Sequence, residues 1–217
     1  MKNIPRIFAG DDINTGDCVP VARDVAHYLT RVMRRRDCIA FGGGREFAAE
    51  LNDAGDALVI GEDTGRADPS GNVRLMFAPI KRTDDLINMA TQMGVAEFLP
   101  VITERTVAAH INWDRMRKIA VEAAEQSNRN SVPRILPPVR FGDVDLSGIA
   151  FADERAAYGR QCAAPQNINA ILVGPEGGFS DAEFAALDAA GAIGISLGKT
   201  ILRAEVAATI AIARITQ

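Results

Sequence analysis

The stretch NAILVGPEGGFSDAEFAALDAAG, Asn169 to Gly191, decides how this chain is read. An apolar run, NAILVG, has the length and branching of a buried strand. It leads directly into Gly174-Pro175-Glu176-Gly177-Gly178, and helical spacing begins just beyond. Ser180 and Glu183 stand in the S-x-x-E spacing of a capping box, which specifies the helix start, and Gly191 is a natural stop. Strand, glycine loop and helix in that order form one step of an α/β sheet. Ligands of such sheets sit outside the carboxyl ends of the strands. Glycines there let backbone N–H and C=O groups approach a ligand closely.

A second glycine loop follows in GISLGKT, Gly194–Thr200. Its Gly-Lys-Thr ending suggests a nucleotide-binding P-loop, but that pattern needs four residues between the first glycine and Gly-Lys. Gly194 and Gly198 are separated by three, and Ile193 stands one position further back. A phosphate cradle is a ring of backbone N–H groups whose size depends on loop length, so the missing residue excludes it. GPEGGF has the wrong spacing for a dinucleotide fingerprint as well. Beyond the loop, ILRAEVAATIAIARI is almost wholly apolar and predicts a helix buried on most sides, against the sheet or a partner subunit. Arg203 and Glu205 stand at its entrance, as a mutual ion pair or as groups turned to a ligand.

Upstream the same rhythm continues. VRLMFAPI, EFLPVI, GIAFA and GISLG read as further strands. TDDLINMATQMG and WDRMRKIAVEAAEQSN read as helices, the first capped by Thr83 and ended by Gly94. Their apolar stripes are Leu86, Met89, Ala90 and Met93, then Met116, Ile119, Ala120, Ala123 and Ala124. Alternating strands and helices predict a mostly parallel sheet covered on both faces. The first seventy residues differ. PRIFA, DCIAF, REFAAEL and ALVIG are short strands, FGGGREF is a hairpin turn, and ARDVAHYLTRVM is one helix with Val25, Leu29, Val32 and Met33 at helical spacing. GEDTGRADPSGN breaks all periodicity and is expected to be a linker, which puts domains at 1–68 and 72–217.

Composition bounds the function. The chain has 217 residues, 47% apolar and 24% charged, and is a globular protein. It has no apolar run long enough to span a membrane, and its start does not read as a secretory signal. Three separated cysteines and two histidines predict neither a disulfide framework nor a metal site, and a cytoplasmic location. The net charge of −4 is unevenly spread. Residues 1–47 hold eight Lys/Arg against six Asp/Glu, and the remainder 16 against 22. Arg31, Arg34, Arg35 and Arg36 fall within six residues, a solvated helix end or a phosphate-contacting patch.

LVGPEGGFS followed by SLGKTILRAEVAA resembles the paired signature of the RsmE family, methyltransferases of the SPOUT superfamily. IPRIF, HYLTRVMR, MATQMGVAEFLPVITERT and VEAAEQSNRNSVPRI resemble other blocks of that family in the same order, so the likeness covers nearly the whole chain. The resemblance implies an α/β C-terminal SPOUT domain with a trefoil knot, and an N-terminal PUA-like small β-barrel that binds RNA. It implies S-adenosylmethionine (SAM) as cofactor, a homodimer burying the terminal helix, and methylation of N3 of a uridine in bacterial 16S rRNA of the small ribosomal subunit. By motif, the cofactor is held by Leu172, Gly174, Pro175, Glu176 and Gly177, and by Leu197, Gly198, Ile201, Leu202 and Arg203. The family often has Lys and Glu where Met89 and Gln92 stand, and Thr at Val206. An RNA-binding protein of the same fold without catalysis, or a SPOUT enzyme with another RNA target, is the alternative.

The chemistry expected of such a site is the freeing of a nitrogen lone pair, because uridine N3 carries a proton. A cation beside the pyrimidine oxygens stabilises the anion. Arg203 or Arg129 supplies it, and Glu205 orients the arginine or takes the proton. Arg6, Arg31, Arg34, Arg35 and Arg36 are the expected RNA contacts, with the target base unstacked.

Overall fold

The computed structural model describes residues 4–68, 72–107, 111–162, 164 and 167–216. The chain divides into two compact units, one of residues 1–70 with 121–132 and the other of 71–120 with 133–217.

The first unit is built on a five-stranded sheet. Its strands are β1 (Arg6–Phe8), β2 (Cys18–Pro20), β3 (Asp37–Gly42), β4 (Arg45–Leu51) and β5 (Ala57–Ala67), in the order β1-β3-β4-β5-β2. β1 runs parallel to β3, and the remaining pairs are antiparallel. The glycine hairpin joins β3 to β4 with Gly42 opposite Arg45. Leu29, Phe47, Leu51, Leu58 and Ile60 form the centre of its core.

Two expectations fail here. β5 continues to Ala67 through most of the stretch expected as a linker, of which Pro69, Ser70 and Gly71 lie outside the described residues. Pairing with β4 overrides the local turn composition, and the irregular register between Arg45 and Ala49 takes up the mismatch. The expected single helix is α1 (Arg23–His27) followed by a π-turn over Tyr28–Val32, closed by Met33 N–H to the Tyr28 carbonyl at 2.9 Å. The wider turn shifts the helical phase. Leu29 is fully buried, whereas Val32 is 61% exposed.

The second unit holds β6 (Arg74–Phe77), β7 (Glu97–Ile102), β8 (Arg134–Ile135), β9 (Val139–Arg140), β10 (Ala150–Ala152), β11 (Ala170–Val173) and β12 (Ile193–Ile195). The sheet order is β12-β10-β11-β6-β7-β8, with β9 also on β7, and every pair is parallel. β8 and β9 are two residues each, too short for periodicity to reveal. The helices are α2 (Thr83–Gln92), α3 (Trp113–Gln126), α4 (Asp181–Ala189) and α5 (Ala204–Ile215). The first part of α3 belongs to this unit and the rest to the other.

Helix α2 is not capped as expected. Arg82 stands at the N-cap, and the Thr83 hydroxyl bonds the Ile80 carbonyl instead, at 2.8 Å. Its buried face is Leu86, Ile87, Ala90 and Thr91, with Met93 outside it. On α3, Met116, Ala120, Ala123 and Ala124 are buried and Ile119 is partly so. Helix α5 packs on α2 and across β6, β10 and β11. It buries Ala204, Glu205, Ala207, Ala208, Ala211 and Ile212 and leaves Val206 exposed, so one face rather than most sides is covered within the chain.

Helix α4 starts where the sequence specifies. The Ser180 side chain accepts from Glu183 N–H, and Glu183 accepts from Ser180 N–H at 2.8 Å. Glu183 also accepts the Glu104 N–H from the loop after β7, at 2.8 Å. Removing one cap acceptor costs about 1 kcal/mol. Removing Glu183 orphans two donors at once, each costing about 1–3 kcal/mol when buried. Ser180→Ala should therefore lower unfolding free energy in urea by about 1 kcal/mol, and Glu183→Ala by at least twice that. Equal losses would remove the second role assigned to Glu183.

Candidate functional site

Three chain segments leave the sheet together at the carboxyl ends of β10, β11 and β12 and enclose a cleft. Its empty space is about 610 Å³, including an open mouth. One wall is Gly174, Pro175, Glu176, Gly178 and Phe179 after β11. The second is Leu197, Gly198, Thr200, Ile201 and Leu202 after β12, continued by Ala204 and Ala207 of α5. The third is Ala152, Asp153, Glu154 and Ala157 after β10.

The first wall rests on aromatic side chains. Phe179 meets Phe151 edge-on at 6.3 Å and Phe184 at 5.6 Å between ring centroids. A Cβ on Gly174 would lie 3.1 Å from the Phe179 ring, so the loop runs close over it. The loop turns through Gly178 N–H to the Pro175 carbonyl at 2.9 Å. Arg105, from beyond β7, ties it from outside by donating to the carbonyls of Gly177 at 2.9 Å and Phe179 at 3.2 Å. In the second wall Gly198 has φ of 137°, a conformation closed to other residues, and open space on the side where a Cβ would stand.

The third wall is fixed by ion pairs. Asp153 is buried and takes Arg155 Nε at 2.8 Å and Arg160 Nε at 3.2 Å. Both arginines continue to Asp188 on α4, at 3.0 and 2.8 Å. The Arg155 guanidinium also lies 4.0 Å from the Phe184 ring centroid. Hydrogen bonding from Arg155 foremost, helped by Arg160, holds the Asp188 carboxyl below its ordinary value although partial burial acts the other way.

Asp153, Glu154 and Glu176 are the ionisable residues of the lining, and no Lys, Arg or His is among the described residues there. Such a surface rejects polyphosphates and suits a neutral or cationic ligand. Thr200 faces the cleft while Lys199 does not, so the residue that suggests a P-loop is turned away.

Of the residues expected at a cofactor, Gly174, Pro175, Glu176, Leu197, Gly198, Ile201 and Leu202 line the cleft. Leu172, Gly177 and Arg203 do not. Leu172 is fully buried in the core below. Gly177 accepts from Arg105, and Arg203 is the exposed N-cap residue of α5. The Arg203 side chain makes no hydrogen bond or ion pair among the described residues. Glu205 is buried, and its charged neighbour is Arg82, at 3.8 Å, rather than Arg203. Arg129 belongs to the other unit, donates to Ser131 Oγ at 3.0 Å, and has its pKa lowered chiefly by burial, which Asp68 opposes.

The expected RNA contacts separate into two groups. Arg31 and Arg34 are exposed, with no side-chain hydrogen bond or ion pair among the described residues. Arg35 pairs with Asp37, and Arg36 donates to the Leu51 carbonyl at 2.6 Å and pairs with Asp53 at 3.0 Å. Arg6 is spent internally: its side chain is 8% exposed, pairs with Glu46 at 2.5 Å, and donates to Asn130 Oδ1 at 2.5 Å.

The sequence reading did not include the third wall or Arg105. GIAFA was read as a parallel strand, so its carboxyl end, Asp153-Glu154, was available as a signal by the rule that identified the glycine loops.

The fold and cleft define a class. A family model described as RNA methyltransferase domain matches residues 67–216. The ribosomal RNA small subunit methyltransferase E of a Synechocystis species is 34% identical over 87% of this chain and 69% of its own length. That of Rickettsia conorii is 31% identical over 97% and 94%. The crystal structure of the Neisseria gonorrhoeae enzyme of that name, bound to S-adenosyl methionine, superposes with a TM-score of 0.82 at 27% identity, covering 97% of this chain and 96% of that one. The chain belongs to the ribosomal RNA small subunit methyltransferase E family.

Arg105 is the external clamp of the first loop. In Arg105→Ala, hydrogen–deuterium exchange of the amides in 174–179 should rise about tenfold or more while the melting temperature moves by only a few degrees. Unchanged exchange there would show that the loop holds itself.

Proposed function

We propose that this protein binds SAM in the cleft and transfers its methyl group to N3 of a uridine in 16S rRNA of the bacterial small ribosomal subunit. The observation that carries this reading is the lining: two backbone-rich glycine loops, apolar side chains, acidic groups and no base. SAM is a neutral adenosine attached to a sulfonium and an amino acid, and these residues fit it. Membership of the family and the SAM-bound relative point the same way.

When bound, SAM supplies an activated methyl group on a positively charged sulfur. The chain's own work is positioning and charge. Gly174, Pro175 and Glu176 from one loop and Leu197, Gly198, Ile201 and Leu202 from the other line the cleft and would hold the cofactor through backbone groups and apolar contact. Arg203, exposed at the start of α5 and without a hydrogen bond or ion pair among the described residues, is the cation that would stabilise the uracil anion. The N3 proton leaves to solvent. Glu205 is a positioning residue, since it is buried beneath the first helical turn near Arg82. Leu172 supports the first loop from the core. Arg129, already bonded to Ser131, contributes less than Arg203.

Residues 1–68 are proposed as a PUA-like RNA-binding domain, and Arg31 and Arg34 as its phosphate contacts, supported by their exposure and lack of partners among the described residues. Residues 72–217 are proposed as the catalytic SPOUT domain with a trefoil knot. A homodimer over the exposed side of α5 near Val206 and a cytoplasmic location complete the reading.

Labelled methyl transfer from SAM to small subunits lacking the modification, followed by mapping of the product, tests this proposal. Label should appear on N3 of one uridine. Arg203→Ala should lower the rate about 100-fold, as loss of an oxyanion donor does. Arg129→Ala should lower it less than tenfold. Label on a ribose, or a full rate in Arg203→Ala, would overturn the assignment.

A further inference from the structure

The wall that neither glycine loop supplies carries a carboxylate with no hydrogen bond or ion pair among the described residues. Asp153 is neutralised by Arg155 and Arg160. Glu154, the next residue, lines the same cleft, is half-buried, and makes no hydrogen bond or ion pair among the described residues. Burial pushes its pKa up, with Asp153 acting in the same sense and Arg105 and Arg155 opposing. Glu176, which lines the same cleft and makes no hydrogen bond or ion pair among the described residues, is exposed.

The position of Glu154 is imposed rather than loose. Asp153 caps the 3₁₀ turn Glu154–Tyr158 by accepting from Arg155 N–H at 3.1 Å. The Arg155 side chain is anchored to Asp188 and the Phe184 ring. On the opposite side the first loop makes room. At Gly178, φ is 70° and a Cβ would fall 2.1 Å from Glu154 Oε1. The carboxylate therefore occupies space that only a glycine leaves, between two walls of the cleft.

We propose that Glu154 receives a cationic centre of the bound cofactor, so that the inner wall selects for positive charge. This rests on the reading of the cleft as a SAM site. SAM has two such centres, the sulfonium and the amino-acid ammonium; both offer positive charge to a half-buried carboxylate, and the ammonium alone also donates hydrogen bonds to it. Glu154 is thus a binding residue contributed by the β10 end, separate from the two glycine loops.

Calorimetric titration of the full chain and of Glu154→Gln with three ligands tests this. SAM has both cations, S-adenosylhomocysteine only the ammonium, and methylthioadenosine neither. In Glu154→Gln the Kd for SAM should rise about tenfold or more, the loss expected of a hydrogen bond to a charged group, while that for methylthioadenosine stays unchanged. An unchanged S-adenosylhomocysteine Kd assigns the sulfonium to Glu154, and a loss equal to that of SAM assigns the ammonium. Glu154→Asp, which keeps the charge, should fall between wild type and Glu154→Gln. Unaltered SAM affinity in Glu154→Gln, or an equal loss for all three ligands with an unchanged melting temperature, overturns the inference. A wild-type chain that binds none of the three overturns the SAM reading itself.

Discussion

Parallel pairing of β12, β10 and β11 is the constraint on which the site depends. With Phe151 level with both Gly194 and Leu172, the three strands end at nearly the same height. All three chains must then leave the sheet at one edge, and their loops meet there. No single loop forms the cleft. Each wall is a consequence of strand direction, and the phenylalanines beneath, Phe151, Phe179 and Phe184, set the height at which the first loop rides.

Charge then decides what the cleft can hold. A phosphate-binding loop concentrates backbone N–H groups and adds a lysine. This cleft gathers carboxylates, and Lys199 is not part of its lining. Asp153, paired with two arginines, and Glu154, which makes no ion pair among the described residues, are adjacent in sequence. Two arginines consume the first to hold the wall in place, which leaves the second available. At α5 the same division appears: Glu205 is buried beside Arg82, while Arg203 is exposed and without a hydrogen bond or ion pair among the described residues.

Much of this was legible in the residues because local and tertiary signals agree. The capping box of Ser180 and Glu183, the strand before Gly174, and the loop at Gly198 are local patterns that the fold leaves intact. Where tertiary contacts override local preference, the reading failed. Gly61 to Ala67 has turn composition yet pairs with β4, and Val32 loses its buried place to a π-turn that hydrophobic spacing cannot reveal. Arg6 pairs ionically with Glu46, 40 positions away, and donates a hydrogen bond to Asn130, more than a hundred away, so nothing local marks it as internal. The third wall was missed for a different reason. Its residues are acidic rather than glycine-rich, and a search for backbone approach passes over them.

A lining with carboxylates and no base among the described residues fits a cation-bearing adenosine better than a nucleoside triphosphate. Titration of ATP, with and without magnesium, against the chain in competition with SAM tests it most directly. The expected result is saturable heat from SAM at one site per chain, undiminished by millimolar ATP. Heat from ATP that SAM cannot displace, with none from SAM alone, would contradict it.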